Sequence, residues 1–272
     1  MKIMSMNIFR HEFRMHLRSA ITWAVAAAAV ALLYLSFFPT FAKEAAMLNE
    51  MMANFPPEFL AAFGLGGVDL SKVLSYFSFV YLFLQVMLAI QAANYGFSLV
   101  SIEERELTAD FLLTKPVTRP QIMTSKLLAA LASLAITQIV VWASAFGFLN
   151  AFKGDQTYDT SILLRLLLGL VVFQLFFLTI GLVISLLVKR IRSVTPYAMA
   201  LSFGMYVLSA FGDMLGESKF EKITPFKHFD PHYIVRNGTY DVPLVMISVI
   251  AIVISVAGSY WLYARRDIPS VT

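Results

Sequence analysis

Cysteine is missing from all 272 residues, and charge is scarce: Asp, Glu, Lys and Arg make up 14% of the chain, where an ordinary soluble domain carries about 25%. Without cysteine there is no disulfide framework, no thiolate metal site and no cysteine nucleophile. A Gly-Lys dipeptide is absent too, so the chain has no G-x-x-x-x-G-K-[ST] phosphate cradle and any nucleotide energy must reach it through a partner. No Asp, Glu, Lys, Arg or His falls in the central part of any long apolar block. A proton-coupled carrier usually buries such a group along its path, and an intramembrane enzyme needs a catalytic constellation at that depth; both are disfavoured.

What remains is apolar. Hydrophobic residues are 59% of the chain and the mean hydropathy is +0.74. They gather in blocks of roughly 20, the length a helix needs to cross about 30 Å of hydrocarbon. Six spans follow, over residues 19–42, 74–100, 127–149, 162–188, 194–211 and 244–263. The expected fold is a single all-α integral membrane domain. Arg165, in the first turn of the fourth span, can snorkel to the interface, and Pro196 falls in the first turn of the fifth, where proline costs a helix little.

Between the spans the chain is mixed. Residues 43–72 contain Pro56-Pro57 and Gly64, Gly66 and Gly67, which predicts a loop with at most short helices. Residues 213–243 read as a polar loop rich in proline and aromatics. His228 and His232 flank Asp230 there, but Pro231 argues against a regular helix that would put both imidazoles on one face, so an ordinary loop is favoured over a metal site. Before the first span, Phe9, Phe13 and Leu17 form an apolar stripe beside Arg10, Arg14 and Arg18. That pattern predicts an amphipathic helix over residues 1–18 lying in the head-group plane, with a plain basic flank as the alternative. The first apolar stretch is longer than the ~7–15 residues of a cleavable signal.

Six spans place both termini on one side. That side carries 13 of the 21 Lys and Arg and six of the 17 Asp and Glu. By the positive-inside rule it faces the cytoplasm, which makes 101–126 a cytoplasmic loop and 213–243 an extracytoplasmic one. Trp23 and Trp261 near the same side fit an interfacial aromatic belt. The net charge of +4 sits at span ends, where it meets lipid head groups, and does not point to nucleic acid.

The most informative stretch is 101–126. Glu103-Glu104-Arg105-Glu106 opens it, a short amphipathic run through Thr108, Asp110, Phe111, Leu112 and Leu113 follows, and Pro116 stops it before Arg119. Phe111, Leu112 and Leu113 form an apolar knob flanked by charge, suited to docking on another protein or to packing on the chain's own span ends. In the spans, Gln85, Gln91, Asn94, Gln138 and Gln174 are polar; they could line a path or hydrogen-bond helix to helix.

The 101–126 stretch resembles the coupling segment that joins the second and third spans in permease subunits of type-2 ATP-binding-cassette (ABC) exporters. Glu103, Thr108, Asp110, Leu112, Leu113, Pro116, Val117, Arg119 and Lys126 fall on that family's pattern, while Leu107 stands where the family usually has glycine. Two further stretches agree, Thr224 to Asp230 before the last span and Arg265-Arg266-Asp267-Ile268 after it, so the likeness covers nearly the whole chain. The resemblance implies a plasma-membrane permease paired with a second copy, identical or related, and with cytoplasmic ABC ATPase subunits that bind the ATP and Mg. It makes 1–18 an elbow helix and 101–126 a cytoplasmic coupling helix. On that reading Phe111 and Leu112 anchor the ATPase contact, Thr108 lies within it, and Glu103, Glu104 and Arg119 orient it. A self-contained channel or secondary carrier, or a membrane-embedded lipid-modifying enzyme, would need no ATPase.

Overall fold

The computed structural model describes residues 4–62, 65, 69–106, 117–188, 191–215 and 218–265, with the side chains at 48, 49, 58, 61, 62, 102–106 and 218 left out of the description. Every regular element among the described residues is a helix. In chain order these are α1 (Met6–Ser36), α2 (Phe38–Lys43), α3 (Ala45–Ala53), α4 (Pro57–Ala62), α5 (Val73–Glu106), α6 (Arg119–Phe152), α7 (Thr160–Leu187), α8 (Val194–Leu215), α9 (Ser218–Glu221), α10 (Pro225–His228), α11 (Pro231–Asn237) and α12 (Val242–Arg265). Six of them, α1, α5, α6, α7, α8 and α12, are long and apolar enough to cross a bilayer. The six-span, all-helical reading is what the structure shows.

One boundary differs. Residues before Ser19 do not form a separate helix in the head-group plane: α1 runs unbroken from Met6 to Ser36. Nothing in that run breaks a helix, since it holds neither glycine nor proline. Its 31 residues span about 46 Å, more than the hydrocarbon thickness, so its first turns project past the bilayer core. Arg10, Arg14 and Arg18 stay exposed on them.

Packing follows side-chain size. Along α1, Ala20, Ala24, Ala27 and Ala31 form a buried stripe that lies against α6 over most of its length; small residues let helix backbones approach where the bilayer supplies no hydrophobic drive. The second pair, α5 with α7, meets backbone to backbone. A methyl group at Gly96 would collide with the Leu178 carbonyl oxygen and stand 3.0 Å from Leu182 N, and one at Gly181 would stand 3.0 Å from the Ala93 carbonyl oxygen. Glycine is required at this crossing because backbone meets backbone. Around the pair, α8 packs on α5, α12 packs on α7, and α1 also touches α5. By contrast α6 and α7, consecutive in the chain, barely meet.

The link between α8 and α12 is not a surface loop. It turns back into the bundle, so that Phe226 packs edge-to-face on Phe173 and Phe177 in the middle of α7, with ring centroids 5.0 and 6.0 Å apart. Irregular backbone at that depth survives only where protein satisfies it, and the Thr224 to Asp230 stretch supplies the partners. Thr224 donates its hydroxyl to Met205 O and caps α10. Lys227 pairs with Asp213 and with Asp230. His228 Nδ1 bonds Ser248 Oγ at 2.6 Å. Phe229 O accepts from Gln85 Nε2 at 3.0 Å, and Asp230 caps α11 through His232 N and Tyr233 N. His232 meets Ser78 instead, so the two imidazoles serve different helices. The expected polar loop over 213–243 is thus a re-entrant hairpin of short helices.

The α5–α7 crossing makes a sharp expectation. Gly96→Ala should lower stability by about 1–3 kcal/mol through overpacking, whereas Gly258→Ala, where an added methyl meets nothing within 4 Å, should change it little. Thermal unfolding midpoints of the two variants in detergent check this.

Candidate functional site

The face of the bundle that carries the start of α1 and the end of α12 also carries the two ends of the 101–126 stretch. Thr108, Phe111 and Leu112 lie outside the described residues, and of Glu103 and Glu104 only the helical backbone, at the end of α5, is described. The structure does describe how the stretch is attached. At its start α5 runs on past Val100 to Glu106. At its end Thr118 and Gln121 form a reciprocal capping box that opens α6, with Thr118 N donating to Gln121 Oε1 at 3.0 Å and Pro120 in the first turn.

Lys126 joins the two ends. Its side chain is 2% exposed, and its ammonium donates to Leu99 O on α5 at 2.7 Å and lies 3.1 Å from Glu12 Oε1 on α1. His16, one turn along, approaches the other Glu12 oxygen at 4.0 Å. One cation therefore ties α6, α5 and α1 together at the base of the stretch. Ser5 N adds a second α1–α6 tie by donating to Ser125 Oγ at 2.9 Å.

Arg119 does the same for the last span. Its guanidinium donates to Tyr263 O at 3.0 Å and to Ala264 O at 3.3 Å, both carbonyls of the final turn of α12. A cation at a helix C-terminus meets the negative end of the helix dipole and satisfies carbonyls that have no partner within the helix. Nearby, Thr124 Oγ1 and Tyr260 Oη share a hydrogen bond at 2.7 Å, and Arg265 stacks over Trp261 with its guanidinium 4.3 Å from the ring centroid. Arg119, read from sequence as a group that orients a partner, is thus engaged with its own chain's last span.

Glu12 was not legible as a site residue. It sits among arginines in a segment that reads as amphipathic, and the signal that could have found it is its singularity: it is the one acid before Glu44.

The polar side chains of the spans fall into separate groups. Gln91, Gln138 and Gln174 meet near the middle of the bundle: Gln91 Nε2 donates to Thr137 Oγ1 at 2.8 Å, Gln174 Nε2 to Gln91 Oε1 at 3.2 Å, and Gln138 Nε2 to Gln174 Oε1 at 2.8 Å. Gln85 holds the re-entrant hairpin. Asn94 Nδ2 reaches Thr195 Oγ1 at 3.4 Å, joining α5 to the start of α8. The five do not share one surface within this chain.

Because the Lys126 charge is buried, removing its counter-charge should be costly. Glu12→Gln should destabilise the protein by about 3–5 kcal/mol, and adding Lys126→Met to it should recover part of that loss, since no charge is then stranded. Equal unfolding midpoints for the single and double variants would show that the pair is not coupled.

No curated protein shows a significant sequence match to the chain. The sequence family described as ABC-2 family transporter protein matches residues 6–268, a range that holds all six spans, the 101–126 stretch with its clamps and the re-entrant hairpin. The chain is a multi-pass membrane protein of the ABC-2 transporter family, the membrane-spanning permease component of an ABC transporter.

Proposed function

We propose that the chain is the permease half of an exporter in the plasma membrane, driven by a separate cytoplasmic ABC ATPase that docks on residues 101–126 and working with a second permease copy. The observation that supports this best is the double clamp at the base of that stretch. Lys126 fastens it to α1 and α5, and Arg119 fastens α6 to α12. A push on the stretch is then delivered to four spans together instead of being lost in a slack loop.

ATP and Mg belong to the partner on this reading, because the chain has no phosphate cradle of its own. ATP-driven closure of the ATPase pair moves the docked segments, and the clamped spans rock between two packings that open a path to alternate sides. Phe111 and Leu112 are the apolar anchors, Thr108 lies in the same contact, and Glu103 and Glu104 supply orienting charge. The outward direction follows the resemblance of residues 101–126 to the exporter coupling segment. The excess of Lys and Arg on the terminal face puts that face, and both termini, in the cytoplasm.

Phe111→Asp or Leu112→Asp should abolish co-purification of the ATPase while leaving membrane insertion intact; an unchanged pull-down would overturn the docking assignment and favour a self-contained channel or carrier. Orientation has its own test, since the chain is free of cysteine. A membrane-impermeant maleimide should label Asp155→Cys in intact cells and Asp110→Cys only after permeabilisation. The reverse pattern would invert the topology.

A further inference from the structure

The exposed side of α1 changes character once along its length. Arg10, Arg14 and Arg18 line it first. Beyond them it is hydrocarbon, with Ile21 50%, Val25 62% and Leu32 43% exposed. Arg14, Arg18, Ile21, Val25 and Leu32 follow one another at spacings of four, three, four and seven residues, which keeps them on one face of a helix. Nothing interrupts that face, because α1 is a single run from Met6 to Ser36 without glycine or proline.

One face thus marks the depth at which water gives way to lipid, and the change falls between Arg18 and Ile21. The lengths agree with an upright helix. Ile21 lies about 16 Å from Leu32 along the axis, close to the ~15 Å of one leaflet's hydrocarbon. Arg14 stands about 6 Å outside Arg18, within the depth of one head-group layer.

The arginines are not answered from within the chain. None of the three guanidiniums has an ion-pair or hydrogen-bond partner among the described residues. The acid on the same turns, Glu12, is buried and meets Lys126 instead; two residues from Arg14, it lies on the opposite side of the helix. Like charges four apart on a helix repel each other, and an anion placed between them reverses the sign of that interaction.

A phosphodiester suits the pair. Its two unesterified oxygens offer an acceptor to each guanidinium, and the planar fork of N–H donors matches such a group better than an ammonium does. Depth selects the source. A phospholipid's phosphate is fixed at the hydrocarbon edge, where Arg14 and Arg18 stand, and its acyl chain then runs along Ile21 and Val25. A zwitterionic head group brings a cation that the arginines repel, whereas a head group of net negative charge does not.

We propose that Arg14 and Arg18 bind the phosphate of an anionic phospholipid in the leaflet at the terminal face, with its acyl chain against Ile21 and Val25. The lipid braces from outside the turns of α1 that Lys126 grips from within. This holds whether or not the chain exports a cargo.

The test is native mass spectrometry of the full chain released from micelles that contain equal amounts of phosphatidylglycerol and phosphatidylcholine. The chain should retain phosphatidylglycerol roughly 10-fold over phosphatidylcholine, the worth of one charge-assisted hydrogen bond. Arg14→Gln combined with Arg18→Gln should erase that preference, while Lys43→Gln, which removes an exposed charge near the other end of the first span, should leave it. Arg14→Lys combined with Arg18→Lys keeps both charges but loses the fork, and should lose most of the preference. Both arginine variants should unfold at the wild-type temperature in phosphatidylcholine alone, since neither side chain is paired within the chain. Equal retention of the two lipids by the wild type, a preference that survives the glutamine variant, or displacement of the lipid by inorganic phosphate would each overturn the proposal. An undiminished preference in the lysine variant would overturn it in favour of diffuse attraction. Loss of a second copy from the glutamine variant with lipid retention unchanged would assign the arginines to a protein contact.

Discussion

Hydrocarbon offers no hydrogen bonds, so a polar group held below the head groups is stabilised where another part of the protein answers it. Such pairings organise the structure at three depths. At the terminal face, Lys126 and Glu12 answer each other and Leu99 O. At mid-span, Gln91, Gln138 and Gln174 form a line of amides. Toward the opposite face, the re-entrant hairpin satisfies its own irregular backbone with Thr224, His228 and Asp230 and borrows Gln85 from α5. A polar partner is a positional constraint, so these contacts set which helices are neighbours as much as apolar packing does.

Apolar packing then divides the bundle into tight and slack contacts. Small residues line the α1–α6 contact and the α5–α7 crossing, while α6 and α7 barely meet. On the proposed function, spans that share a polar clamp at the 101–126 stretch move as one body, and slack seams are where bodies slide.

Span number was legible because it has a one-dimensional signature, an apolar run of crossing length with charge confined to the run ends; the acidic-amphipathic-proline order at 103–116 marked a candidate docking stretch, most of which lies outside the described residues. Lys126 was legible only as part of a motif, and its task was not. The break expected near Ser19 was misplaced because an arginine stripe reads the same on an interfacial helix and on the exposed side of a helix that runs past the membrane. The hairpin over 213–243 looked like a loop because polar and aromatic residues alternate there without a helical period, and a buried irregular segment has the same composition as an exposed one.

Composition and periodicity, acting alone, determined that the chain has six helices long and apolar enough to span a membrane, that it lacks the G-x-x-x-x-G-K-[ST] pattern, and where its charged connections fall; these depend on counting along the chain, and solvent chemistry enforces them locally. Tertiary structure decided which helices pair, that Glu12 meets Lys126 across more than a hundred residues, and that Arg119 closes onto α12. Those pairings arise from contacts between segments far apart in sequence, where a glycine's missing methyl or a single buried charge selects one neighbour over another, and no pattern read along one segment contains them.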